Sequence, residues 1–273
     1  MVQDRYDLHC HSVFSDGEKT PQELIVMANQ LSLKGLSITD HDTVEAYNNE
    51  LFEFAKSLDV VLVPGVEFSC DHEGQSVHVL GYNYDFKAPA MKSFLDHCQL
   101  IRHKRNLAVL KKMEIVGIPL SLEDLQNVSR HNLSQIGRVH FAKAMVAKGY
   151  VSSVKVAFDL YLKDGARCYV YIQKPSPKEA VDVLHKAGGK AVLAHPYQIR
   201  KQRIIFDLLK EGFDGIECYY AKLSKDIEKR WLKMAEKNQM LCTGGSDYHG
   251  DIRPYNMLGS SWVLESEVDK LLQ

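Results

Sequence analysis

The sequence predicts an α/β protein built on a parallel sheet or barrel and interrupted by an all-helical stretch. Three observations carry this expectation. Short apolar, β-branched runs alternate with amphipathic helical stretches toward both ends of the chain, the pattern of strands joined by helical crossovers. Between residues 89 and 166 no good strand is found, and helical patterns follow one another. Where the apolar runs end, His, Asp and Glu recur in place of the Gly, Asn or Ser that usually make such turns.

Residues 6–11, within Tyr6-Asp7-Leu8-His9-Cys10-His11, read as the first strand. Alternation places His9 and His11 on one face and Cys10 on the other. Ser15-Asp16-Gly17 follows on a tight turn. Thr20-Pro21-Gln22-Glu23 is a capping box with proline at the first helical position, and Leu24, Ile25, Ala28 and Leu31 continue a helical stripe. Residues 36–39 form a strand stopping at Asp40-His41-Asp42, with a helix after it through Phe54 and Leu58. Residues 60–68 read as one buried strand carrying Glu67. After a turn over 71–75, residues 76–84 alternate, carry His78 and form its hairpin partner.

The helical stretch holds patterns over 91–116, 122–128, 138–148 and 154–163. Its basic clusters, Arg102-His103-Lys104-Arg105 and Lys111-Lys112, suit either a solvated helix face or a wall that attracts phosphates. Alternation then resumes. A helix over 177–187 leads to a strand over 191–194 that ends at His195-Pro196. A helix over 204–211, a strand over 215–218 and a helix over 223–237 with Trp231 on its apolar face come next. The strand over 240–243 runs into Gly244-Gly245-Ser246-Asp247-Tyr248-His249, and a last strand is expected over 259–264. Residues 1–88 and 167–273 are thus expected to form one domain in two pieces. Residues 89–166 would be a helical insertion capping the substrate.

The chain has 273 residues, a formal net charge of -1, and 45% hydrophobic and 25% charged residues. That is ordinary for a globular protein and gives no global nucleic-acid footprint. No apolar run approaches the roughly 20 residues of a membrane span, and the N-terminus has no signal-peptide core. The six cysteines are scattered without a Cys-x-x-Cys pair, so reduced thiols and a cytoplasmic location are expected. No stable protein partner and no membrane association are expected.

Histidine is the unusual residue, with 12 copies. His9, His11, Asp16, Asp40, His41, Glu67, His195, Asp247 and His249 all sit at or just beyond strand ends, where α/β folds place their chemistry. His78 would reach the same rim. Imidazole and carboxylate without thiolate suit Mn, Fe or Zn better than Mg. The candidates are too many for one ion, so two or three divalent ions bridged by a carboxylate are expected. Such a cluster makes a bridging hydroxide from water and clamps both oxygens of a phosphoryl transfer.

This ordered set resembles the PHP (polymerase and histidinol phosphatase) superfamily. The resemblance rests on Asp7-Leu8-His9-Cys10-His11, Ser15-Asp16-Gly17, Thr39-Asp40-His41-Asp42, Pro64-Gly65-Val66-Glu67, His78, Ala194-His195-Pro196 and Gly245-Ser246-Asp247-Tyr248-His249. It implies a distorted (β/α)7 barrel with a trinuclear site. His9, His11, Glu67 and Asp247 would hold one ion. Glu67 would bridge to a second held with His78 and His195, and Asp16, His41 and His249 would hold the third. Many members carry histidine where this chain has Asp16. Asp40 would orient a ligand without binding an ion.

Ile136-Gly137-Arg138-Val139-His140-Phe141-Ala142 resembles the Gly-Arg-x-His segment of the small bacterial PHP phosphoesterases. That branch includes nucleoside 3′,5′-bisphosphate phosphatases, AMP-hydrolysing members and the 5′-to-3′ exoribonuclease RNase AM. The resemblance implies that Arg138 and His140 contact the substrate phosphate and that Arg138, His140 and His249 act in catalysis. Val139 stands where proline is usual. The expected activity is phosphomonoester hydrolysis on a nucleotide or a short RNA. The competing expectations are a histidinol-phosphatase-like sugar or amino-alcohol phosphatase and a non-catalytic PHP docking module. The full ligand set speaks against the module. His72, His97, His103, His131 and His185 fall outside the pattern as surface or helix residues. Tyr197 and Tyr248 lie beside ligands, where they could stack on a base or simply pack.

Overall fold

A computed structural model of the chain describes residues 4–129, 135–199 and 201–273. Of the residues singled out above, His131 lies outside this range; Arg200, which opens the basic run Arg200-Lys201-Gln202-Arg203 of the sequence, does too. The fold is mixed α/β. β1 (Arg5–Cys10), α1 (Pro21–Gln30), β2 (Gly35–Ile38), α2 (Asn49–Ser57) and β3 (Val61–Leu62) come first. The capping box of α1 forms as its sequence dictates, with the Thr20 side chain accepting from the Glu23 N–H. β4 (Gly65–His72) and β5 (Gln75–Tyr82) make an antiparallel hairpin. Its turn is tighter than expected. Only Glu73 and Gly74 intervene, at φ +51° and +75°, the mirror-image turn that matches strand twist.

The run over 60–68 is two strands, not one. Pro64 lacks an N–H and separates β3, which pairs with β2, from β4, which belongs to another sheet. Four strands are ordered β3-β2-β1-β9 and five are ordered β4-β5-β6-β7-β8. The later strands are β6 (Lys190–Leu193), β7 (Gly215–Tyr220), β8 (Leu241–Gly245) and β9 (Val263–Leu264). Pairing is parallel except along β4–β5, β5–β6 and β1–β9. Single bridges link the sheets at two seams, Cys10 to Tyr248 and His41 to Glu67. Continuous pairing round a closed ring is not found among the described residues. Tyr6, Leu8, Leu80, Tyr82 and Val192 fill the space between the sheets.

The last expected strand shrinks to β9, and α10 (Glu265–Leu272), unforeseen, buries Val268 and Leu271 against that same core. α7 (Pro177–Lys186), α8 (Gln202–Leu208) and α9 (Lys225–Lys237) cover the five-stranded sheet. α1 and α2 cover the four-stranded one.

The helical stretch comprises α3 (Pro89–Ile115), α4 (Leu122–Val128), α5 (Arg138–Ala147) and α6 (Val154–Ala157), followed by one wide turn over Phe158–Leu162. These helices bury Val109, Met113, Leu125, Phe141, Met145 and Leu162 in a core of their own. Met91, Phe94, Leu95 and Cys98, near the start of α3, join the sheet core instead. No helix among the described residues is long and apolar enough to cross a membrane. All six cysteines are free, and all but Cys242 are buried.

Tyr47 clamps the point where the sheets part. Its buried hydroxyl accepts from Ile38 N at 3.0 Å and Gly65 N at 2.9 Å, and it donates to Ile38 O at 2.7 Å. Tyr47→Phe strips the Ile38 and Gly65 N–H groups of this acceptor. Urea unfolding is expected to show a loss of about 1–3 kcal/mol; an unchanged midpoint would refute the clamp.

Candidate metal centre

β1 delivers His9, and His11 follows just past its end. Both rings are fully buried. Two carboxylates meet them. His9 Nε2 lies 3.4 Å from Glu67 Oε2 and 3.4 Å from Asp247 Oδ1, and His11 Nε2 lies 3.2 Å from each of the same oxygens. β4 supplies Glu67, and the turn after β8 supplies Asp247. Gly245 lets β8 run this close to β1, because a Cβ there would collide with His9.

Glu67 is the hub. Its Oε2 faces His9, His11 and His41, the last at 3.2 Å. Its Oε1 takes His78 Nδ1 at 2.7 Å and His195 Nε2 at 2.9 Å. A third cluster surrounds Asp16, whose Oδ1 is 3.3 Å from His249 Nε2 and 3.9 Å from both His41 Nε2 and His11 Nδ1. Three overlapping groups have donor atoms mutually within 4.8 Å. They are His9, His11, Glu67 and Asp247; His41, Glu67 and His78; and His11, Asp16, His41 and His249. His195 and Asp247 are both held at positive φ, +27° and +52°, conformations that non-glycine residues adopt at a cost and that cluster at functional sites.

These donors fit cations. His9 Nε2, His11 Nε2, His41 Nδ1, His249 Nε2 and Asp16 Oδ1 are buried with no hydrogen-bond partner, which is costly for polar atoms left to themselves. Two ligands about 2.1 Å from one ion sit roughly 3.0–3.4 Å apart, the spacing between the imidazoles and the Glu67 and Asp247 oxygens. Burial drives His41 down to about 3, leaving a neutral ring with a lone pair to give. Burial would raise the Glu67 carboxyl, but His41, His78 and His9 outweigh it and hold it well below the usual range. Asp247 is likewise held down against burial, first by Arg253 and then by His249 and His9. His11 rises to about 9, its neighbours Asp247 and Glu67 overcoming burial.

Asp40 points away from the cluster. It accepts from Ser12 N at 2.8 Å and from the Ser12 and Ser15 hydroxyls at 2.5 Å each, bracing the loop between His11 and Asp16. Two acids have no role assigned from sequence, Glu217 unnamed there and Asp7 named only within its motif. Glu217, on β7, bonds His9 Nδ1 at 2.7 Å through one oxygen and accepts from His195 N at 2.7 Å through the other. Asp7 accepts from the backbone N–H groups of His9, Ser246 and Gly259. Burial pushes its carboxyl up to about 6. The available signal was an acid alone in each apolar strand.

Arg138 opens α5 and lines a cavity beside the cluster, its Nη1 donating to Asp164 Oδ1 at 2.8 Å. His140 does not line that cavity. Its Nδ1 accepts from Gly137 N at 2.9 Å, and its ring borders a neighbouring hollow with Lys143 and Tyr248. Burial lowers it to about 4, so it is neutral at pH 7. The basic cluster of α3 divides. His103 and Lys104 are exposed, whereas Arg102 and Arg105 line the cavity. His97 is exposed, His72 meets Glu211 and His185 meets Asp214. The Tyr248 ring belongs to the core under α1, and Tyr197 packs 4.9 Å from Tyr220.

Glu217→Gln keeps the shape but removes the charge that aims His9. Calorimetric titration with Mn2+ is expected to show about 10–100-fold weaker binding. Equal affinity would mean that Glu217 only fills space.

The PHP domain model matches residues 7–253. The chain is 33% identical to the 5′-3′ exoribonuclease Rnm of Escherichia coli K12, over 98% of this chain and 92% of the relative. It is 32% identical to the 3′,5′-nucleoside bisphosphate phosphatase of Chromobacterium violaceum, over 89% and 86%. With the phosphoribosyl 1,2-cyclic phosphate 1,2-diphosphodiesterase of Eggerthella lenta identity is 31%, over 89% and 94%. Among solved structures, a metal-dependent phosphoesterase assignment from Bifidobacterium adolescentis superposes with a TM-score of 0.89 at 29% identity, covering 100% of this chain and 96% of that one. An amidohydrolase from Chromobacterium violaceum with bound sulfate and no metal gives 0.85 at 30%, covering 96% and 92%. The chain belongs to the PHP domain family, alongside phosphoesterases named as 5′-3′ exoribonucleases and nucleoside bisphosphate phosphatases.

Proposed function

We propose that the chain is a metal-dependent phosphoesterase that hydrolyses a phosphomonoester of a nucleotide, either a nucleoside 3′,5′-bisphosphate or AMP, and acts 5′-to-3′ on short RNA. One observation carries this reading. A single cavity of about 190 Å³ runs from Asp16, His41 and His78 to a wall of Arg102, Arg105, Arg138 and Lys174. Donors for cations at one side and fixed positive charge at the other suit a phosphate ester with a second anionic group. A neutral sugar or amino-alcohol substrate would leave most of that wall unused. The relatives named for RNA and nucleoside bisphosphates point the same way.

One ion would be held by His9, His11, Glu67 and Asp247. A second would be held by Glu67, His78 and His195 with His41 at hand, and a third by Asp16, His41 and His249. Histidine-rich donors favour Mn, Fe or Zn over Mg. When bound, these ions supply a nucleophile from water and neutralise charge at phosphorus. Residues 1–88 and 167–273, which together supply both sheets, are read as one distorted (β/α)7 barrel, with residues 89–166 as the substrate cap.

The chain's own residues do the rest. Arg102 is held by the buried carboxylate of Asp42, which also accepts from Ser69 N at 2.8 Å. Arg105 donates to Asn106 Oδ1 at 2.7 Å and Ile136 O at 3.1 Å, and Lys174 to Ser76 Oγ at 3.1 Å. Among the described residues neither has a carboxylate in ion-pair range, so an arriving anion is their natural partner. Arg138 offers a planar fork to phosphate oxygens. His140 ties down the start of α5 and so aims Arg138.

The test is release of inorganic phosphate from a nucleoside 3′,5′-bisphosphate with Mn2+, beside histidinol phosphate, and release of mononucleotides from a 5′-phosphorylated short RNA. Turnover of the bisphosphate and the RNA, lost on chelation, is expected. No turnover by metal-loaded protein would sink the reading, and preference for histidinol phosphate would redirect it. Arg138→Ala is expected to cost about 10–100-fold in kcat/KM, the worth of one charge-assisted contact. Burial lowers the Lys174 ammonium to about 8. Its charge is present at neutral pH and lost as pH rises through that value, so KM should climb above about pH 8. Lys174→Arg should flatten the climb; a profile identical to that of the parent would exclude Lys174.

A further inference from the structure

We infer that Arg253, on the turn after β8, is a further phosphate-binding residue whose readiness is coupled through Asp247 to the occupancy of the metal centre. The inference rests on the phosphoesterase reading above.

Asp247 uses its two oxygens differently. Oδ1 faces His9 and His11, while Oδ2 accepts from the Tyr220 hydroxyl at 2.6 Å and from Arg253 Nη1. Arg253 therefore supplies positive charge to a buried carboxylate that is also a candidate ligand. The same side chain lines the cavity shared with Arg102 and Arg138, and 43% of it is exposed. Its recorded contact to Asp247 runs through Nη1 alone, which leaves most of a five-donor fork for another acceptor.

The backbone beneath it is fixed. Arg253 N donates to Gly250 O at 3.1 Å, Asn256 N donates to Arg253 O at 2.9 Å, and Asn256 Nδ2 reaches the Tyr220 hydroxyl at 3.0 Å. Only the side chain needs to turn. A cation drawing on Asp247 weakens that carboxylate's hold on the guanidinium and repels it. The other carboxylates of the cavity, Asp16 and Asp42, already face His249 and Arg102, so the exposed fork is free to take the phosphate of the substrate. Unlike Arg138, Arg253 would thus bind phosphate best once the centre is filled.

Arg253→Gln and Arg253→Lys test this in the full chain, with circular dichroism to check folding. Mn2+ titration of metal-free protein comes first. Asp247 no longer shares its charge in Arg253→Gln, so Mn2+ should bind several-fold more tightly. Inhibition of the Mn2+-loaded enzyme by inorganic phosphate should weaken about tenfold. KM for the bisphosphate should rise by a similar factor, with kcat changed less. Arg253→Lys should recover part of the phosphate binding. Unchanged phosphate inhibition in Arg253→Gln would overturn the phosphate role, and unchanged Mn2+ affinity would overturn the coupling. Should the parent release no phosphate from any ester, the enzyme reading falls. Mn2+ titration and direct phosphate binding would still decide the role of Arg253.

Discussion

Everything in this fold answers to one buried carboxylate. Glu67 is almost fully enclosed, and its two oxygens face five imidazoles drawn from β1, the loop after β2, β5 and the end of β6. An ionised carboxylate so buried costs several kcal/mol unless compensated. The His9 Nε2, His11 Nε2 and His41 Nδ1 atoms turned toward it have no hydrogen-bond partner, so they are poor compensation without cations among them. The arrangement is therefore a site built at the expense of stability, and the surrounding structure has to hold it. Glu217, Asp7 and Asp40 do so from behind. Each ties ligand-bearing backbone or a ligand ring to a neighbouring strand or loop.

The two-sheet arrangement follows from the same requirement. β4 must carry Glu67 toward β1 while its neighbour β5 carries His78 to the other oxygen. The break at Pro64 frees β4 from the first sheet to do this. The single bridge between His41 and Glu67 then closes the gap at the point where the donors meet. The helical stretch has its own apolar core, so it can present Arg102, Arg105 and Arg138 on a rigid face. Its charges are positioned by packing, which is why a cavity can hold several cations at once.

Much of this was legible before folding. Alternation put His9 and His11 on one side, and the recurrence of His and acid at strand ends marked the rim. Other features were not. Glu217 stands as a lone acid in an otherwise apolar strand, but only the approach of β7 to β1 makes its carboxylate a partner of His9. The cluster from Arg102 to Arg105 showed four polar residues in a row, yet helix phase against the sheet chose two of them for the cavity. Sequence reads His140 as a phosphate contact with Arg138; only the fold shows that its Nδ1 takes the Gly137 N–H at the start of α5. Residues 60–68 are apolar apart from Glu67, so periodicity could not see that Pro64 divides them between sheets.

Local pattern alone thus established the kind of elements, their order, and the chemical nature of the donors, because alternation and capping are written in neighbouring residues. Which carboxylate becomes the hub, which arginines face the cavity, and which acids stand behind the histidines were decided only by the folded chain. Those contacts join residues as far apart as 208 positions for His9 and Glu217 and 252 for Asp7 and Gly259. They depend on strand order and helix phase, which no short stretch of sequence contains.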